Sequence, residues 1–130
     1  MDTPHCDLLV IAVPSANPGG LDAAVGAHFG HCDLYTLIDT QGTEILNVRT
    51  LENVPHQQGG CMAPVTHLAR NGVQVLIAGG MGMRPLMGFE QVGVRVFYGS
   101  GAPSVGHAVR AFLAGELPAF TLNETCGGSH

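Results

Sequence analysis

At 130 residues, 45% hydrophobic and 12% charged, the chain is long and apolar enough to bury one core without disulfides. A formal charge of −5 and a lysine-free set of five arginines (Arg49, Arg70, Arg84, Arg95 and Arg110) exclude the clustered basic face that nucleic acid or an anionic membrane requires. No stretch reaches the roughly 20 apolar residues of a membrane span, and Met1–Asp7 is not a basic leader region, so a cytoplasmic protein with free or metal-bound thiols is expected.

Leu8–Val13 is a continuous apolar run closed by Pro14 and reads as a strand buried on both faces. A Gly-rich loop follows, from Pro14 to Phe29. Asp33–Asp39 and Thr43–Thr50 read as strands joined through the Gln41-Gly42 turn into a hairpin. Leu51–Gly60 is a loop. The pattern then becomes helical over Ala63–Asn71, with Val65, Leu68 and Ala69 on one face and Asn71-Gly72 as the stop. Val73–Ala78 is another buried strand, Arg84–Gln91 a short helix with Pro85 in its first turn, and Val94–Tyr98 a strand. Ser104–Ala114 is a helix whose core face is Val105, Ala108, Val109, Phe112 and Leu113. The expected order is βββαβαβα: an α/β fold with a five-stranded mixed sheet flanked by three helices. Its hairpin is antiparallel and its later crossovers parallel. The expected organisation is an N-terminal extension over 1–7, one domain over 8–115 and a flexible tail over 116–130, with the third strand as an exposed edge.

Soft and borderline metal ligands are concentrated among paired glycines in three segments: His28-Phe29-Gly30-His31-Cys32, Gly59-Gly60-Cys61-Met62 and Gly79-Gly80-Met81-Gly82-Met83-Arg84. The third joins a strand to a helix start, where open N–H groups and the helix dipole make an anion nest. Arg84 adds a fixed cation there. Cys61 precedes a helix, a position that stabilises a thiolate as metal ligand or nucleophile. Met81 and Met83 suit a soft or apolar guest; core packing competes for Met83 and Met87. His67 and His107 fall on helix surfaces, and His56 is a weaker candidate. His5, Cys6, Cys126 and His130 are terminal and could form a copper or zinc buffer. An enzyme using Cys61 as nucleophile with His28 or His31 as base is the competing reading. The absence of G-x-x-x-x-G-K-[ST] and G-x-G-x-x-G speaks against a nucleotide module.

His28-Phe29-Gly30, Gly59-Gly60-Cys61-Met62 and Ile77-Ala78-Gly79-Gly80-Met81-Gly82 resemble, in that order, the motifs of the dinitrogenase iron–molybdenum cofactor biosynthesis family, over roughly residues 8 to 115. That family includes NifX-like proteins and the C-terminal domain of NifB. The resemblance implies a ribonuclease H-like sheet without nuclease activity, and a carrier of molybdenum- or iron-containing sulfide clusters. Its small stand-alone members, the orange proteins, imply a molybdenum–copper sulfide cluster. An iron–molybdenum–sulfur cofactor precursor is the alternative cargo, and an acceptor or assembly protein the implied partner. Carried across by motif, the binding residues are His28, Cys61, Met62, Gly79, Gly80, Met81, Gly82 and Arg84. His31 and Cys32 extend the first motif as metal candidates, and Gly59, Gly60 and Met83 complete the loops around the cluster.

Overall fold

The computed structural model describes residues 8–26, 33–52, 62–79, 83–99 and 102–119. Five strands and three helices follow in the expected order: β1 Leu8–Ser15, β2 Leu34–Gln41, β3 Glu44–Glu52, α1 Met62–Arg70, β4 Val75–Ala78, α2 Met83–Val92, β5 Arg95–Tyr98 and α3 Val105–Leu113. The spatial order is β3-β2-β1-β4-β5. β2 is antiparallel to both β1 and β3, whereas β4 is parallel to β1 and β5. The mixed sheet therefore changes character at β1.

Strands β1 and β4 are the central pair, and their side chains alternate between two cores. Ala12, Tyr35, Leu37, Leu76, Ala78 and Val96 pack under α1 and α2 through Val65, Leu68, Leu86 and Phe89. Ile11, Val13, Ile38, Val75 and Ile77 pack under α3 through Val105, Ala108 and Val109. Burial on both faces is why these strands read as unbroken apolar runs.

Local chemistry accounts for the helix ends. Gly72 takes φ +82°, its N–H donates to the Ala69 carbonyl, and the Val73 N–H reaches back to the Leu68 carbonyl. Gly93 repeats this closure, with the Val94 N–H on the Phe89 carbonyl. Both are Schellman motifs, in which a left-handed residue costs a glycine least and the next apolar side chain covers the last turn. Ser104 caps α3 by accepting the His107 N–H at 3.3 Å.

Several boundaries differ from the sequence reading. β1 does not stop at Pro14 but runs to Ser15. Pairing with β4 covers Ile11 and Ala12, and beyond them residues 24–26 take over that side of β1, where the Pro14 carbonyl accepts the Gly26 N–H at 2.7 Å. A proline contributes there as acceptor without interrupting a central ladder. β4 begins at Val75 rather than Val73, because the Val73 N–H closes the turn out of α1, while Gln74 already bonds to Val10 and Arg95 on either side. Met87 is 49% exposed, so it is not core.

β3 forms one edge of the sheet. It is held to β2 partly by the Arg49–Asp39 pair, with Arg49 Nη2 and Nε at 3.0 and 3.2 Å from the two carboxylate oxygens. This hydrogen bonding keeps the Asp39 carboxyl below its ordinary value. A depressed carboxyl stabilises the fold above its unfolded pKa and loses that contribution as pH falls through the folded value. Both side chains are substantially exposed, so Arg49→Ala should cost only about 0.2–1 kcal/mol at pH 7. In urea titrations the gap between wild type and variant should close as the pH drops below the usual carboxylate range; a gap that persists in acid would assign the effect to packing instead.

Candidate functional site

In sheets with parallel strands, ligands gather beyond the carboxyl ends of those strands, where the topology switches. Here β1, β4 and β5 all end at one edge. Antiparallel register places Leu34, the first residue of β2, opposite Ser15, and Glu52, the last of β3, opposite Leu34. Residues 27–32 and 53–61 are therefore entered or left at this edge, as are residues 80–82, which follow Gly79. Helix direction brings two further chain ends here. α1 delivers its C-terminal turn to the other edge, where the Gln74 N–H donates to the Val10 carbonyl at 3.0 Å. Its first residue, Met62, thus lies on the side where β1 and β4 end. α2 runs down to Gly93 ahead of β5 in the same way and starts at Met83 on that side.

Neither α1 nor α2 has an acidic residue in its first turn. Helix starts ordinarily favour such residues, because the open N–H groups carry partial positive charge. Two starts without one leave positive potential at a single edge. Arg84 is the second residue of α2. Among the described acids at this edge, Asp33 accepts the Asn17 N–H at 3.0 Å.

Of the residues singled out from sequence, Gly79 follows β4 directly and is half-buried, Met62 opens α1, and Met83 and Arg84 open α2. His28, His31, Cys32, Gly59, Gly60, Cys61, Gly80, Met81 and Gly82 lie outside the described residues, as do His5, Cys6, His56, Cys126 and His130. Among the described residues no group of three or more His, Cys, Asp or Glu could hold a metal ion. His67 and His107 are accounted for structurally. His67 Nε2 is 3.0 Å from the Glu52 carbonyl oxygen, and His107 Nδ1 is 2.9 Å from the Ser104 hydroxyl.

Sequence reasoning missed the anchorage of the loop that leads to the first motif. The buried Ser15 and Thr36 hydroxyls are 2.8 Å apart, and Ser15 also donates to the Val13 carbonyl at 2.7 Å. Thr36 Oγ1 then accepts the Gly20 N–H at 3.1 Å. Further along, the Leu21 and Ala23 carbonyls accept the Gly106 and Val105 N–H groups at 2.8 and 2.9 Å. The loop therefore occupies the start of α3 with carbonyls. A hydroxyl at the same sheet-face position in two adjacent strands is the only trace of this network in the sequence. Such residues are ordinary in loops, so the signal is weak.

Comparison with known proteins agrees with this architecture. The family model described as "Dinitrogenase iron-molybdenum cofactor" matches residues 8–115. An uncharacterized protein of Methanocaldococcus jannaschii is 27% identical over 115 residues, spanning 87% of this chain and 92% of that protein. The apo form of the orange protein from Desulfovibrio gigas aligns with a TM-score of 0.74 at 26% identity, over 86% of this chain and 92% of that one. A NifB candidate from Thermotoga aligns with a TM-score of 0.72 at 28% identity, over 87% and 97% respectively. With all eight secondary-structure elements inside the matched range, the chain belongs to the dinitrogenase iron–molybdenum cofactor family.

Proposed function

We propose that this protein is a non-enzymatic carrier of an anionic metal–sulfur cluster, with a molybdenum–copper sulfide cluster as its cargo. The observation that carries this reading is the meeting, at one sheet edge, of the chain ends that bracket all three glycine-rich motifs with two helix starts free of acidic residues. Family membership and the likeness to the orange protein support it.

A polyanionic sulfide cluster is a large, soft, diffuse charge. It needs many N–H donors, a cation and polarizable walls more than it needs a cage of hard ligands. In this reading Gly59, Gly60, Gly79, Gly80 and Gly82 let the backbone approach the sulfides. Arg84 cancels charge, and Met62, Met81 and Met83 supply the polarizable surface. His28, His31, Cys32 and Cys61 are the donors for the metal itself. Holding the guest mainly through backbone N–H groups also allows release to an acceptor or assembly protein without breaking a set of thiolate bonds.

Anaerobic purification followed by absorption spectroscopy and metal and sulfide analysis tests the proposal, repeated after adding tetrathiomolybdate with copper. Intense visible bands with stoichiometric molybdenum, copper and sulfide are expected. Iron in place of copper would identify an iron–molybdenum cofactor precursor as the cargo. A colourless protein that takes up neither cluster overturns the carrier reading and makes the reactivity of Cys61 the next question.

A further inference from the structure

The stop of α1 carries a chemistry of its own. Asn71 is the one asparagine in the sequence with glycine after it: Asn17 precedes Pro18, Asn47 precedes Val48, Asn53 precedes Val54 and Asn123 precedes Glu124. A backbone nitrogen can attack the side-chain amide of the asparagine before it. Glycine, with no Cβ, hinders that attack least. A proline nitrogen has no proton to give up, and a β-branched valine crowds its own nitrogen.

In the folded chain both reacting groups are occupied. The Gly72 N–H donates to the Ala69 carbonyl at 3.1 Å, within a Schellman turn that holds Gly72 at φ +82°. Asn71 Nδ2 donates to the His67 carbonyl at 2.8 Å, which turns the amide back over the helix. Val73 is buried beneath the turn, and its N–H on the Leu68 carbonyl at 3.2 Å closes it. Asn71 and Gly72 are themselves exposed, so water reaches them.

We propose that Asn71–Gly72 is a site of spontaneous deamidation, held inert while the α1 stop is closed and reactive once that turn opens. In the open turn the Gly72 nitrogen gives up its proton and bonds to Cγ of Asn71. The Cγ–Nδ2 bond breaks, and Nδ2 takes up a proton and leaves as ammonia. Water then opens the cyclic imide at either carbonyl, which leaves aspartate or isoaspartate. The reaction consumes water alone and needs no oxidant or reductant.

The product does not restore the turn. A carboxylate has no donor for the His67 carbonyl, and it stands at the helix end where the partial charge is already negative. Arg70, in the same turn, offsets part of the charge but not the lost donor. The isoaspartyl form also puts an extra backbone carbon where Gly72 must reach the Ala69 carbonyl. Each change loosens the last turn of α1, and His67 belongs to that turn. Its Nε2 lies 3.0 Å from the Glu52 carbonyl oxygen, so the same loosening weakens the tie between α1 and the end of β3. This inference stands on the α1 stop alone and does not depend on the identity of the cargo.

Mass spectrometry of the full chain tests it. The protein is held at mildly alkaline pH with and without unfolding urea, then digested, and position 71 is read as asparagine, aspartate or isoaspartate. Conversion should be at least about tenfold slower in the native protein, since it waits on opening of the turn. Asn71→Asp supplies the aspartyl product directly. In that variant the Val73 amide should exchange at least about tenfold faster than in wild type, while Leu76 in β4 keeps its protection. Equal conversion with and without urea overturns the proposal, as does an Asn71 that stays intact in urea. Unchanged Val73 exchange in Asn71→Asp overturns the stated effect on the turn.

Discussion

Arg84→Ala should lower the affinity for a copper–tetrathiomolybdate cluster by about tenfold to a hundredfold, with little change in the stability of the fold. A hydrogen bond to a charged group is worth about 1.5–3 kcal/mol, and each 1.4 kcal/mol is a factor of ten in affinity. The loss falls in this range, not lower, because the chain has no lysine to take over the charge. Arg70, in the last turn of α1 and exposed, is the matched control: Arg70→Ala removes the same charge at the far end of a helix and should leave binding unchanged. Arg84→Lys should restore part of the affinity but not all, since a point charge lacks the planar fork of donors. Anaerobic titrations at low and high salt separate the components. Wild-type affinity should fall with ionic strength more steeply than that of Arg84→Ala, because screening weakens a charge that the variant no longer has. Equal binding by wild type and Arg84→Ala at low salt would refute the charge argument and leave backbone donors and soft ligands to hold the cluster.

How far the sequence led depends on how local each signal was. The buried strands were legible because burial on both faces leaves no polar residue at either parity, as in Val75–Ala78. The helix stops were legible because Asn71-Gly72 and Gly93 encode their left-handed turns in residue type alone. The passage of β1 through Pro14 was not, because it depends on residues 24–26 arriving beside that strand. The open edge of β3 could be anticipated from strand order, whereas the contact of Pro118 and Ala119 with β5 could not, since those residues carry no strong strand signal of their own. For the site, the sequence supplied chemistry without geometry. Glycines and soft ligands could be picked out as three separate segments, but only the sheet register shows that the chain ends bracketing them lie at one edge. The Ser15–Thr36 pairing joins residues 21 apart and has no pattern along the chain.

The second large effect is expected where β5 ends, at Gly99. This residue is buried, and a Cβ built on it would lie 2.4 Å from Cγ2 of Ile77, far inside van der Waals contact. Ile77 is itself fully buried between β4 and α3, so it has little room to retreat. Gly99→Ala should therefore destabilise the protein by about 1–3 kcal/mol through overpacking. Ile77→Ala should cost about 2–5 kcal/mol, through lost burial and the cavity left behind. The two substitutions are not independent. Ile77→Ala removes the methyl that Gly99→Ala strikes, and the new methyl occupies part of the space vacated. The double variant should then be more stable than the sum of the single effects predicts, with a coupling of at least about 1 kcal/mol, within the range seen for residues in contact. Urea denaturation of the four proteins measures this directly. Strict additivity would mean that the backbone after Tyr98 yields to the added methyl, and the Gly99–Ile77 contact would not be what holds the end of β5 against β4.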